Sequence, residues 1–208
     1  DLEGARALIE RALALAEATH GPNHPSVAES SLNLGVLSTY EGRFADGEAP
    51  LRRALDILHG MNDPPVSMLA AALSGLASVL HSTGRGEEAL PLLREVVELR
   101  KTRASDDRRS LAIDLQNLAT FLVSRGFIDE ASTRTAEARA ILEELHGTDS
   151  VAMVPLLWLQ EEIQYHRGEL AAQRETAQLA LDLSKRHLPA DHWWIAHSLT
   201  TQIGRAHV

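Results

Sequence analysis

The chain has 208 residues, 44% hydrophobic but only 4% aromatic, with no cysteine and a formal net charge of −9. The absence of cysteine excludes disulfides, thiolate metal sites and cysteine nucleophiles. An acidic balance without a basic stripe argues against a nucleic-acid partner, no apolar run reaches the length of a membrane span, and no signal-peptide pattern opens the chain. The expected setting is cytoplasmic.

In chain order, apolar periodicity and Gly/Pro punctuation predict ten helices, at 2–19, 27–41, 45–59, 66–83, 87–102, 110–125, 129–145, 151–167, 170–187 and 193–207. Gly42, Gly84, Gly126 and Gly168 stand 42 residues apart, each between two apolar runs. A fixed period of this size is the mark of stacked units. Each unit reads as a helix A, a tight turn at the marker glycine, a helix B and a polar linker. Leu111, Leu115, Leu118 and Leu122 form one helical stripe, and Leu69, Leu73, Leu76 and Leu80 repeat it one period earlier. Ala12, Ala54, Ala138 and Ala180 share one phase of the B helices, with Val96 in the third unit. Small residues there allow close helix approach.

The linkers carry His-Gly pairs at 20–21, 59–60 and 146–147, and Ser26, Asp149 or Ser150, and Asp191 are the expected caps of the following helices. The stretch Lys101–Arg109 lacks Gly and Pro, so the preceding helix should run long or fray there. Pro50, Pro91 and Pro155 lie about one turn inside their helices and predict irregular starts rather than breaks. In helix 151–167 the apolar stripe Ala152, Leu156, Leu159, Ile163 is shifted by one residue. Gln160 and Glu161 stand where other units place Leu and Ala or Gly, which predicts a rotated helix or an inserted residue.

These features resemble tetratricopeptide repeats, in the 42-residue variety typified by kinesin light chain. The residues that carry the resemblance are Val27-Ala28-Glu29-Ser30, Asn33-Leu34-Gly35, Asn117-Leu118-Ala119, Gly42-Arg43-Phe44, the run Ala49 to Leu55 and the linker Gly21-Pro22-Asn23-His24-Pro25. The resemblance implies an all-α, right-handed α-solenoid of about five repeats, forming a single array over 1–208. Helix A would line a concave groove that commonly holds extended peptides or partner proteins. The phrase Leu188-Pro189-Ala190-Asp191-His192-Trp193 is similar to linkers of bacterial kinase-associated arrays.

Counted from the marker glycines, the groove stripe holds Glu29, Leu32, Val36, Thr39 and Tyr40, then Ala71, Ser74, Ser78, His81 and Ser82, then Ile113, Gln116, Thr120, Val123 and Ser124. Asn33 and Asn117 flank it at matching positions. Their carboxamides could bond a peptide backbone, or cap and bridge helices; Gly75 interrupts the ladder. Trp158, Tyr165 and His166 cluster beside the phase slip. They form a binding pocket, or Trp158 fills core volume, the preferred reading of the two. The candidate peptide-binding residues are therefore Asn33, Tyr40, Ser74, His81, Gln116, Asn117, Trp158 and Tyr165. With no lysine in any A helix, a neutral or mixed peptide is expected.

The pairs His20/His24 and His192/His197 lack the company of ligands that a metal site needs. No catalytic grouping and no phosphate-cradling loop is present, so neither enzyme activity, nor a metal, nor a cofactor is expected. The leading expectation is a protein–protein interaction scaffold. The alternative is a regulatory or sensor segment of a larger bacterial signalling protein, a kinase or signalling ATPase. The chain reads as a fragment whose first B helix and last A helix lack their repeat partners, which predicts head-to-tail self-association.

Overall fold

The computed structural model describes residues 2–103 and 107–205, with side chains to residue 200. Among these residues the secondary structure is helical throughout. The helices are α1 (Leu2–His20), α2 (Pro25–Tyr40), α3 (Phe44–His59), α4 (Val66–Ser82), α5 (Gly86–Arg103), α6 (Arg108–Ser124), α7 (Ile128–His146), α8 (Val154–Arg167), α9 (Leu170–His187) and α10 (Trp193–Arg205). The even-numbered helices are the A helices of the repeat and the odd-numbered ones the B helices. The last two residues of the helix expected at 193–207, and positions 104–106 of the Lys101–Arg109 linker, lie outside the described residues.

The chain divides into two compact units, 1–105 and 106–208. In the first, α2 pairs with α3 and α4 with α5, α1 packs on α2, and α2 also touches α4. In the second, α6 pairs with α7 and α8 with α9, α10 packs on α9, and α6 touches α8. Successive A helices thus share one face within each unit.

The marker glycines set the repeat. Gly42, Gly84, Gly126 and Gly168 have φ of 71, 82, 80 and 73°, the left-handed region that L side chains enter only at a cost. Each ends its A helix with the same pair of backbone bonds. Around Gly42, its N–H donates to the Thr39 carbonyl at 3.1 Å and the Arg43 N–H to the Ser38 carbonyl at 2.8 Å. The second bond recurs as Arg85 to Leu80 at 2.7 Å, Phe127 to Leu122 at 2.9 Å and Glu169 to Gln164 at 2.9 Å. This Schellman geometry satisfies carbonyls that the helix end leaves open.

Ala54, Val96, Ala138 and Ala180 are buried on their B helices, whereas Ala12 on α1 is exposed, because no described helix covers that side. In the first unit the packing is closest around the fully buried Leu51. A Cβ at Gly35 would stand 2.4 Å from its Cγ, and one at Gly75 2.9 Å from its Cδ2. Gly75 therefore interrupts the asparagine ladder at a point where a Cβ would press on a Leu51 methyl and require it to shift.

Three local expectations are corrected. His24, not Ser26, caps α2, its Nδ1 accepting from the Ser26 N–H at 3.2 Å. Ser26 already lies in the first helical turn. His192 Nδ1 accepts from the Trp194 N–H at 3.2 Å at the start of α10, in place of Asp191. Ser150 does cap the turn before α8. Pro50 and Pro91 sit within continuous helices; only Pro155 follows an irregular start, a 3-10 turn over Val151–Met153.

The third correction concerns α8, which carries no insertion. Met153, Val154, Leu156, Leu157, Leu159, Glu161, Ile163 and Gln164 are buried. Subtracting 42 from each gives positions on α6 of which Ala112, Leu115, Ala119, Phe121 and Leu122 are buried. Gly168 keeps its turn. The helix keeps the repeat's register and buries polar residues at apolar positions. It also buries the shifted residues Leu156 and Leu159, whose α6 counterparts Asp114 and Asn117 are not buried.

Candidate functional site

The expected groove residues occupy the A-helix faces. In the first unit, Asn33 and Tyr40 are exposed on α2, Tyr40 at 79%, while Ser74 is half-buried and His81 exposed on α4. Leu32 turns out to be buried, as does Val123 on α6, so both belong to the core rather than to an open groove. The buried side points toward the helix each packs on, one step round from the exposed stripe.

Asn33 and Asn117 are exposed, and their carboxamides make no hydrogen bond among the described residues. They neither cap nor bridge helices, so donor and acceptor both face solvent. That leaves them free for a ligand but does not by itself assign one.

In the second unit three A helices converge. Gln116 and Thr120 from α6, Pro155, Trp158, Leu159, Glu161 and Glu162 from α8, and His197 from α10 line an open cleft of ≈ 340 Å³. It brings together two of the expected residues, Gln116 and Trp158. Asn117 is the neighbour of Gln116 on an exposed position, and Tyr165, 45% exposed, lies two turns along α8 from Trp158.

Trp158 is half-buried, neither a plain core filler nor a free surface ring. Its Nε1–H donates to Ser198 Oγ at 3.1 Å. Its ring meets Trp194 edge-on at 5.4 Å and His197 at 4.4 Å, with Trp193 at 6.1 Å. The hydrogen bond fixes the indole so that the polar end is satisfied and the apolar face can serve the cleft. Trp193, 63% exposed, and Trp194 both have a ring partner in Trp158. Adjacent aromatics at the start of α10 were the sequence signal, but their distance of about one repeat from Trp158 hid the contact.

Glu161 and Gln164 are polar residues at buried positions of α8. Glu161 is 2% exposed and lines the cleft; Gln164 is 8% exposed, and its Oε1 has no hydrogen-bond partner. Gln160 reaches instead toward α7, where its Oε1 accepts from Arg139 at 3.2 Å. Burying such groups is costly, and the signal in the sequence was their arrival at positions that hold Ala119, Leu122 and Leu118 one repeat earlier.

Among the described residues no group of three or more His, Asp or Glu is placed to hold a metal ion. His20 and His24 stack on each other at 4.3 Å beside the α2 cap. The strongest charge interactions lie away from the cleft. Arg85 bridges Glu48 and Glu88 between α3 and α5. The Glu48 carboxyl is held below its ordinary range by the hydrogen bond from Arg52, then by Arg85. On α1, Leu2, Leu8 and Leu15 are exposed. No helix among the described residues is long and apolar enough to cross a membrane.

A tetratricopeptide-repeat profile matches residues 1–58 and 68–144. The chain belongs to the tetratricopeptide-repeat (TPR) family. It is 28% identical over 102 residues to human tetratricopeptide repeat protein 19, mitochondrial; the match covers 49% of this chain and 26% of that protein, so it spans about a quarter of the relative's length. Among solved structures, BtubC of P. vanneervenii superposes with a TM-score of 0.75 at 17% identity, over 98% of this chain and 85% of that one. A kinesin-light-chain-like protein of Podosopora anserina, with nearly identical TPR-like repeats, gives 0.76 at 19% identity over 89% of each chain. YrrB, described as a TPR protein with an unusual peptide-binding site, gives 0.60 at 18% identity over 96% of this chain and 84% of that one. These likenesses agree with the all-α, helical-repeat solenoid class expected from the 42-residue period. TPR repeats generally mediate protein–protein interaction.

Proposed function

We propose that this TPR chain is an interaction scaffold that holds an extended segment of a partner protein along its A-helix face. The supporting observation is the cleft at Gln116, Thr120, Trp158 and His197, where residues of three successive A helices meet around open space. The free carboxamides of Asn33 and Asn117 lie on the same kind of face in each unit and suit an extended backbone, which needs donors and acceptors in alternation. Small polar groups position the main chain; the half-buried indole supplies apolar contact of the kind that dominates binding energy. The peptide-binding site of YrrB gives a precedent within the family. An A-helix site also accounts for the exposure of Tyr40, His81 and Tyr165 without assigning each a separate role.

The test is a random twelve-residue peptide display selection on the whole 208-residue chain, followed by calorimetry of the enriched peptides. Binding is expected to weaken about tenfold or more in the Gln116→Ala/Asn117→Ala variant, whose substitutions lie on accessible surface. Absence of enriched peptides, or binding indifferent to these substitutions, contradicts the reading.

A further inference from the structure

The cleft carries more chemical information than its shape. Its charged lining is acidic: Glu161 and Glu162 stand on α8 beside Trp158, and His197 is the remaining titratable residue on its walls. Glu162 is half-buried, and among the described residues its carboxylate has no ion-pair or hydrogen-bond partner. Elsewhere in this unit several carboxylates are matched, and those without a partner among the described residues, Glu169, Glu175 and Asp191, are exposed to solvent. Glu143 accepts from Arg139 at 2.7 Å, Asp129 from Arg167 at 2.7 Å, and Asp149 from Arg186 at 2.9 Å. The guanidiniums of Arg139, Arg167 and Arg186 are thus engaged, and Glu162 is left facing an open cleft next to an aromatic ring.

A half-desolvated carboxylate without a partner is unfavourable, and a cation supplied from outside relieves it. The adjacent indole selects among cations. A tryptophan face attracts a positive charge and stacks on a flat one. Arginine meets both demands, because its planar guanidinium can lie on the ring while its fork donates two bonds to a carboxylate; lysine offers a compact charge without the plane. Thr120 and Gln116 on the opposite wall provide acceptors for the remaining N–H donors.

We propose that the cleft between α6, α8 and α10 takes the guanidinium of an arginine in the bound peptide, stacked on Trp158 and paired with Glu162. This rests on the A-helix peptide reading above and names the side chain that the site selects. It departs from the neutral or mixed peptide suggested by the lysine-free A helices, which count positive charge but overlook the unpaired negative one.

The probes are N-acetyl-arginine methylamide and its citrulline counterpart, which keeps the shape and loses the charge. Each is titrated into the whole chain, with the indole Nε1–H resonance of Trp158, held by Ser198, as the reporter. The arginine probe is expected to shift that resonance saturably and to bind about tenfold more tightly than citrulline. In Glu162→Gln, at a half-buried position, the difference is expected to fall below about twofold while circular dichroism shows an unchanged fold. Equal response to both probes, no saturable response, or a preference that survives Glu162→Gln overturns the arginine assignment. The peptide reading is judged separately by the display selection: enriched peptides that bind but lack arginine leave it standing and sink only this inference.

Discussion

In the first unit, α2 and α4 close on Leu51 of α3 at Gly35 and Gly75, so tightly that a Cβ at Gly35 would meet Leu51, while Gly47 lies against the Gly35 carbonyl. In the second, the A helix α8 places Glu161 and Gln164 where the repeat elsewhere has small or branched apolar residues, and surrounds Trp158 with further rings. Both units use the same glycine turn and the same B-helix alanine phase. What differs is the residue set at otherwise equivalent positions. Helix-pair geometry is fixed by a few backbone demands, which leaves the intervening positions open to different chemistry. Close approach is developed in one unit, and a polar, aromatic cleft in the other. Departures from an otherwise consistent pattern are where function is expected to sit.

The sharpest way to break this contrast is to remove the central packing residue. Leu51→Ala is expected to cost about 2–5 kcal/mol, the range for a buried leucine whose surroundings cannot collapse. The equivalent residue two repeats on is Thr135, buried with its hydroxyl donating to the Ala131 carbonyl at 2.8 Å. Thr135→Ala should cost no more than about 1.5 kcal/mol. Urea unfolding of both variants decides; equal costs would mean that the two units are packed alike.

Gln164→Leu should act in the opposite direction. Leu80 and Leu122 fill this phase in α4 and α6, and the Gln164 carboxamide leaves a buried acceptor unmet. The substitution is expected to stabilise the chain by about 1–3 kcal/mol. A destabilised variant would show that the buried amide is part of the packing rather than a departure from it.

The shared turn gives a smaller and symmetrical effect. Gly84→Ala and Gly168→Ala should each cost about 1–2 kcal/mol, because the new Cβ meets no atom within 4 Å and only the left-handed backbone is penalised. Thermal melts that separate the two by much more than that would contradict a common turn.

The least effect is expected at Glu48. Its folded pKa lies below the ordinary value of 4.5, first through the Arg52 hydrogen bond and then through Arg85. The carboxylate therefore contributes stability that is present above about pH 4.5 and lost as pH falls through the lowered folded pKa. Glu48→Gln should lose no more than about 1 kcal/mol at pH 7, as for other partly exposed pairs, and the gap from the parent chain should close in acid. A gap that widens in acid would reverse the sign.

The helices and the repeat were legible in the sequence because their causes are local. Marker glycines, leucine stripes and His-Gly linkers each act within one or two turns. Of the residues later found on the cleft, Gln116 could be selected because it stands on the outward stripe of an A helix, and Trp158 because it is an aromatic beside the irregular stripe of α8. Glu162 could not be, since its significance depends on the absence of a partner, a three-dimensional fact. Nor could the phase of α8. Apolar counting assumed that buried positions are apolar, and Glu161 and Gln164 violate that assumption while Gly168 preserves the register. Gly75 was legible as a break in the asparagine ladder, but its close approach to Leu51 lies across two helices.

The most direct test of the central claim is chemical-shift mapping of the 208-residue chain saturated with a display-selected peptide. The largest changes are expected on the A-helix face, at Gln116, Asn117, Trp158, Glu162 and His197, with the B helices α7 and α9 little affected. Changes concentrated on α7 and α9 would contradict it.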